Sequence, residues 1–423
     1  MTQEISAIAS LQGELRPPSD KSLTHRSYMF GAIADRPSLV RSPLRGEDCE
    51  STLHCLAQLG LRYEWLTESE VRLFPTPSWR QPDADLDCGN SGTTMRLLSG
   101  LLASRELTCR MIGDASLSRR PMKRIAAPLR LMGATVEGDT PPLTIRGTQL
   151  KAIDYVSPVA SAQIKSCVLL AGLQADGTTS VKEPSLSRDH TERMLRATGV
   201  EISEGDIVSV RGGQTPHGFE IRVPADISSA AFFLVATAVL RDSELTIRDL
   251  SVNPTRTGIL DVLEQCDVPF RAFNERDELG EPVADLIIRH GRALKPFQIS
   301  GPLIPRLIDE IPVLAVLATQ CEGTSIIRDA GELRVKESDR IETVAQGLRD
   351  MGAVVETFED GFAITGPTRL HAARIDASGD HRIAMAFVVA GLVALGTTVI
   401  DGAESIATSY PAFMSDLERL AIV

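Results

Sequence analysis

The stretch "LRLMGATV", Leu129–Val136, sets a glycine four residues after a leucine and then a run of β-type residues. It reads as the last turn of an amphipathic helix, a glycine C-cap and the start of a strand. The same pattern returns as "LAQLGLRY" (Leu56, Gly60), "LRATGVEI" (Leu195, Gly199) and "LRDMGAVV" (Leu348, Gly352). Two weaker copies, "LEQCDVPF" (Leu263, Asp267) and "LERLAIV" (Leu417, Ala421), bring the series to six, spaced 66 to 85 residues apart.

A second landmark keeps step with the first. Helices rich in small apolar residues run into a turn and a strand at "AIADRPSLV", "LLASRELTC", "LQADGTTSV", "VLRDSELTI", "TQCEGTSII" and "VALGTTVI". Anchored at Arg36, Arg105, Gly177, Asp242, Gly323 and Gly396, these recur every 65 to 81 residues. Two landmarks at one period predict six copies of an α/β unit. Each copy holds one amphipathic helix and one helix apolar on nearly all sides, and a helix without a polar face belongs in an interior. The fold class is α/β, with three such helices in each of two similar domains.

The buried helices open on "PPSDKSLTHR", "CGNSGTTMR", "SPVASAQIKS", "PADISSAAF", "LIDEIPVLA" and "SGDHRIAMAF". If those of one domain run parallel, their amino ends gather on one face and present unpaired N–H groups and positive dipole ends to an anion. Lys21, Arg26, Arg96, His381 and Arg382 add charge of the same sign there. Asp20 and Asp380 fit equally as N-caps or as site residues, and Asn90-Ser91-Gly92-Thr93-Thr94 fits a capping turn. Lys21 and Arg382 fit capping less well, because the dipole disfavours cations at these ends. "GDASLSRRPMKRI" gathers Arg119, Arg120, Lys123 and Arg124 into a basic loop, which reads either as a solvated charge run or as part of the site. In "ELRVKESDRI", Lys336 and Arg340 form a like-charged i,i+4 pair that calls for an anion between them.

The net charge of −12 argues against a broad nucleic-acid surface, which rests on clustered Lys and Arg. Seven scattered cysteines without a C-x-x-C pair read as reduced and mostly buried. The opening "MTQEISAIASLQGELRPPSD" lacks a basic leader and an apolar run of signal-peptide length. Ile383–Ile400 carries no charge over a length that raises the question of a membrane span. Gly396-Thr397-Thr398 interrupts it, which predicts a buried helix of about thirteen residues followed by a strand. A cytoplasmic protein without membrane anchoring is expected.

These openings, together with "GDASLSRRPM", "RVKESDR" and "GDHRIAMA", resemble the motifs of the 5-enolpyruvylshikimate-3-phosphate synthase family of enolpyruvyltransferases, in order, from about Leu15 to Phe413. The resemblance implies two domains of three βαβαββ units with buried parallel helices, an inside-out α/β barrel. The first would comprise residues 1–17 and 226–423 and the second 18–225, with the active site in the cleft between them. It implies transfer of the enolpyruvyl group of phosphoenolpyruvate to the 5-hydroxyl of shikimate 3-phosphate, by a monomer, with no metal and no cofactor. Shikimate 3-phosphate would be held by Lys21, Ser22, Arg26, Ser161, Ala162, Gln163, Ser187, Arg188, Asp309 and Lys336. Phosphoenolpyruvate would meet Lys21, Asn90, Gly92, Thr93, Arg96, Arg120, Gln163, Arg340 and Arg382. Asp309 resembles the family's proton acceptor and Glu337 its proton donor, with Lys21 and His381 assisting. Ala162, His190, Glu332 and Glu404 depart from the form of many members and occur together in a divergent branch. The UDP-N-acetylglucosamine enolpyruvyltransferases share fold and donor, but typically carry a reactive cysteine in the loop matching Gly113–Pro121, where this chain has none.

Overall fold

Around Leu129 the computed structural model, which describes residues 1–422, shows the repeat in full. Strand Leu86–Asp87 leads into helix Gly92–Ala103, then strand Thr108–Ile112, helix Lys123–Leu131, and strands Thr135–Glu137 and Leu143–Arg146. The first two strands pair in parallel, and Leu143–Arg146 pairs antiparallel with both Thr108–Ile112 and Thr135–Glu137. Gly133 takes φ +107° at the end of the amphipathic helix, the left-handed region that a side chain resists. The weak copy at Leu263 meets the same demand with Asp267 at φ +58°, a residue type that tolerates this conformation. The copy at Leu417 has no such cap, and its helix Phe413–Leu420 passes straight into strand Ala421–Ile422.

Six sheets follow this plan. Three lie in a unit made of Ser19–Pro224 with the short segment Asp277–Glu281, and three in a unit made of Met1–Pro18, Ala225–Arg276 and Pro282–Val423. Two copies borrow their first strand from far along the chain. Glu220–Arg222 pairs in parallel with Ser38–Arg41, and Ser10–Leu15 with Glu244–Ser251. Thr2–Ser6 likewise completes the copy of Thr397–Asp401 by antiparallel pairing.

Each unit surrounds three helices that are buried on almost every side. In one they are Lys21–Ile33, Gly92–Ala103 and Ala162–Gly172; in the other Ile227–Val239, Ile311–Ala318 and His381–Val393. Contacts near their first turns show that they run in register. Gln163 Nε2 donates to Thr93 Oγ1 at 3.0 Å, and Arg26 Nη2 to Ser166 Oγ at 2.9 Å. In the other unit Ser228 Oγ bonds Glu310, and Arg382 Nη1 donates to the Asp309 carbonyl at 3.2 Å. The apolar run at Ile383 resolves into helix His381–Val393 and strand Thr397–Asp401. Among the described residues no helix is long and apolar enough to cross a membrane. All seven cysteines are free and buried.

Candidate active site

The amino ends of the buried helices carry the polar residues of each unit. In the unit built on Ser19–Pro224, Asp20 caps helix Lys21–Ile33 by accepting from Leu23 N at 2.9 Å, and Lys21 Nζ lies 2.9 Å from Asp48 Oδ2. The dipole that disfavours a cation at Lys21 is thus met by two carboxylates. Arg26 is 3% exposed and donates to Thr191 Oγ1 at 2.8 Å, to Ser166 Oγ, and to the Ser22 carbonyl at 3.0 Å. Burial pulls its pKa down to about 10, with Glu192 and Asp20 opposing, so it remains charged at neutral pH.

Ser91 caps helix Gly92–Ala103 by accepting from Thr94 N at 3.1 Å. The capping turn and the basic loop then prove to be one structure: Arg120 reaches back to donate to Asn90 Oδ1 at 2.6 Å and Ser116 Oγ at 3.1 Å. Arg119 and Lys123 of that loop are exposed, whereas Arg120 is buried. Arg96 Nη1 donates to Gln163 Oε1 at 2.7 Å, so Thr93, Arg96 and Gln163 form one cluster across two helices. Gly92 leaves room for it, since a Cβ there would fall 2.6 Å from Arg96 Nη1. Ser161, which precedes Ala162, stands at the N-cap of helix Ala162–Gly172 without a side-chain capping bond. Ser187 donates to Glu183, and Arg188 lies beside it, half-buried. His190 is buried with its Nδ1 2.8 Å from Glu281 Oε1.

In the other unit the charges converge on Arg340, whose side chain is 1% exposed. Its Nε donates to Asp380 Oδ2 at 2.8 Å, its Nη2 to Glu337 Oε2 at 2.7 Å, and its Nη1 to Asp309 Oδ1 at 3.3 Å. Burial works against the guanidinium charge, yet Asp380, Glu337 and Asp309 together hold its pKa above the ordinary value. Burial alone pushes the Asp380 carboxyl up, but Arg340 outweighs it and holds the group below the usual range. Asp380 also caps helix His381–Val393, accepting from Arg382 N at 3.0 Å, and accepts from Ser338 Oγ at 3.0 Å.

The anion required between Lys336 and Arg340 is Asp309. Lys336 Nζ and Arg382 Nε each lie 3.9 Å from its Oδ1, so three cations surround one carboxylate. Asp309 sits one residue before Glu310, the N-cap of helix Ile311–Ala318, and its side chain is 15% exposed against 24% for Glu337. His381 is buried next to Asp380. Glu332 lies 3.8 Å from Lys336 Nζ, and Glu404 is exposed.

The structure therefore brings Lys21, Ser22 and Arg26 together in one unit, Asn90 with Arg120, and Thr93 and Arg96 with Gln163. It brings Asp309, Lys336, Glu337, Arg340 and Arg382 together in the other. Sequence reasoning missed Asp48, Ser166, Thr191 and Glu183. Of Asp380 it saw the cap but not the grip on Arg340.

A family model described as EPSP synthase (3-phosphoshikimate 1-carboxyvinyltransferase) matches residues 5–417. A 3-phosphoshikimate 1-carboxyvinyltransferase of Synechococcus sp. (strain RCC307) is 50% identical over 430 residues, spanning 98% of each chain. That of Geobacillus kaustophilus is 49% identical over 422 residues, again spanning 98% of each. A solved EPSP synthase structure from Acinetobacter baumannii superposes with a TM-score of 0.89 at 43% identity, covering 100% of this chain and 98% of that one. With matches of this extent in both sequence and fold, the chain belongs to the EPSP synthase family, the 3-phosphoshikimate 1-carboxyvinyltransferases.

Proposed function

We propose that the chain transfers the enolpyruvyl group of phosphoenolpyruvate to the 5-hydroxyl of shikimate 3-phosphate with Asp309 as proton acceptor and Glu337 as proton donor. The observation that carries this division of labour is their unequal setting around Arg340. Asp309 has three cations within 4 Å, and opposite charge this close favours the ionised form that a base requires. Glu337 pairs with Arg340 at 2.7 Å and has the more exposed side chain, 24% against 15%, which leaves it open to a substrate.

Asp309 removes the proton of the 5-hydroxyl as its oxygen attacks C2 of phosphoenolpyruvate, while Glu337 delivers a proton to C3. The tetrahedral adduct then breaks its C2–O bond to phosphate, and C3 returns a proton to restore the double bond. Lys21 and His381 steady charge that builds during addition and departure. Arg120, Arg340 and Arg382, with Asn90, Gly92, Thr93 and Arg96, hold the donor. Ser22, Arg26, Ser161, Ala162, Gln163, Ser187, Arg188 and Lys336 hold the acceptor. The protein works as a cytoplasmic monomer.

The test mixes purified protein with phosphoenolpyruvate and shikimate 3-phosphate and follows inorganic phosphate. Asp309→Asn and Glu337→Gln each lower turnover by about 10²–10⁴-fold, the usual worth of a positioned acid or base, with circular dichroism unchanged. Release only with UDP-N-acetylglucosamine as acceptor would transfer the activity to the related enolpyruvyltransferases. Near-normal turnover in both variants would dismiss the assigned roles.

A further inference from the structure

Behind the serines assigned to the acceptor lies a charged cluster that the reaction itself does not use. The Lys165 side chain is 1% exposed, and its Nζ lies 3.0 Å from Glu183 Oε2 and 2.7 Å from Glu192 Oε1. The two glutamates differ in what else they hold. Glu183, with its side chain 6% exposed, accepts from Ser161 N at 2.7 Å through Oε1 and from Ser187 Oγ at 2.9 Å and 2.7 Å through its two oxygens. Ser161 begins one buried helix, whereas Ser187 lies in the loop between strand Thr178–Lys182 and helix His190–Ala197. One carboxylate thus joins two segments whose hydroxyls are both assigned to shikimate 3-phosphate.

We propose that Glu183 is a positioning residue of the shikimate 3-phosphate subsite, fixing Ser161 and Ser187 relative to each other while Lys165 offsets part of its charge. The inference rests on the subsite reading given above. A bare carboxylate beside a phosphate group would repel it, and the Lys165 ammonium, shared with Glu192, weakens that repulsion. Taking the Ser161 amide into Glu183 leaves the Ser161 hydroxyl, which makes no capping bond, to face a ligand. Ser187 has a single hydroxyl proton, so it donates either to Glu183 or to a phosphate oxygen. When it turns to the phosphate, Lys165 still holds the Ser187 carbonyl at 3.4 Å and the loop keeps its place. A structural ion cluster would need its two glutamates alike; a positioning role needs Glu183 alone.

The experiment is steady-state kinetics on the full chain with Glu183→Ala, Glu192→Gln, Ser187→Ala and Ser161→Ala. Glu183→Ala raises KM for shikimate 3-phosphate tenfold or more, with kcat and KM for phosphoenolpyruvate within about twofold of the parent, about 1.4 kcal/mol for each tenfold. Glu192→Gln leaves all three within about twofold. Equal effects of the two glutamate substitutions, or a joint fall in kcat and rise in both KM values for Glu183→Ala, overturns the proposal. If Ser187→Ala raises KM for shikimate 3-phosphate and Glu183→Ala does not, only the positioning role falls. If neither serine variant moves that KM, the subsite falls and the inference with it. Should Glu183→Ala not fold, Glu183→Gln, which keeps an acceptor for Ser161 N, reads the same split with a rise of a few-fold, and no rise overturns it.

Discussion

Replacing Arg340 with methionine isolates what the buried guanidinium does. The side chain is 1% exposed and bonds three carboxylates, of which Asp380 is fully buried. Methionine roughly fills the space but leaves Asp380 ionised without its cation, and breaking a buried pair in this way costs about 3–5 kcal/mol. For a unit of this size that lowers the melting temperature by about 6–20 °C. The pH dependence gives a sharper reading than the size. In the parent, Arg340 holds the Asp380 pKa below its unfolded value, so this contribution is complete above the unfolded pKa and is lost as pH falls through the folded one. In Arg340→Met burial and the Glu337 charge outweigh the smaller pull of His381, the Asp380 pKa rises, and the variant regains stability relative to the parent as pH falls from 7 to 5. Adding Asp380→Asn removes the stranded charge while keeping a residue able to cap the helix, and recovers most of the lost stability at pH 7 but none of the activity. Calorimetry of the three proteins at pH 7 and pH 5 decides the matter. A loss under about 1 kcal/mol, or a double variant no more stable than the single one, would refute the account of Arg340 as the counter-ion of a buried carboxylate.

Gly92→Ala places a Cβ 2.6 Å from Arg96 Nη1 and 3.6 Å from Arg120 Nη1. The end of Arg96 can move, so the fold survives; phosphate-release kinetics show KM for phosphoenolpyruvate raised about tenfold, or about 1.4 kcal/mol of binding, with a smaller change in kcat. His25 is fully buried, and burial pushes its pKa down to about 3, against the small opposing pull of Asp48. Below about pH 6.5 the unfolded chain binds a proton that the folded one refuses, so stability falls with pH by up to about 1.4 kcal/mol per unit down to about pH 3. Denaturant titrations between pH 6.5 and 4.5 show a shallower slope for His25→Gln than for the parent; equal slopes count against a neutral buried imidazole.

The repeat was legible because its signals are local. A leucine, a helix end and a residue able to take positive φ lie within five positions, and Asp267 shows that the demand is conformational rather than for glycine as such. The borrowing of Glu220–Arg222 and Ser10–Leu15 as first strands was not legible, since nothing in a short parallel strand names a partner some two hundred residues away. Lys21 and Arg382 could be read directly because they stand where the helix dipole disfavours them. The carboxylates could not. Asp48 lies in the acidic first turn of an amphipathic helix and looks like an ordinary helix start, and Glu183 follows a strand as many exposed glutamates do. Asp380 carried a signal for capping, but its second use depends on Arg340, forty residues earlier in the chain.

That pairing of cations with carboxylates has a consequence for the chemistry. The helix mouths and basic side chains that suit two phosphate-bearing substrates are already answered by Asp48, Asp309, Asp380 and Glu337. Asp309 draws its stability as an anion from Lys336, Arg340 and Arg382. Any phosphate or carboxylate oxygen that engages those three takes a share of their charge away from Asp309 and raises its affinity for a proton. On the roles proposed above, Asp309 is therefore a weak base until the substrates arrive and a stronger one when a hydroxyl proton is there to be taken. Arg340 itself stays bonded to the buried Asp380, so the scaffold of the site keeps its counter-ion while the substrates compete with the outer carboxyls alone for the cations.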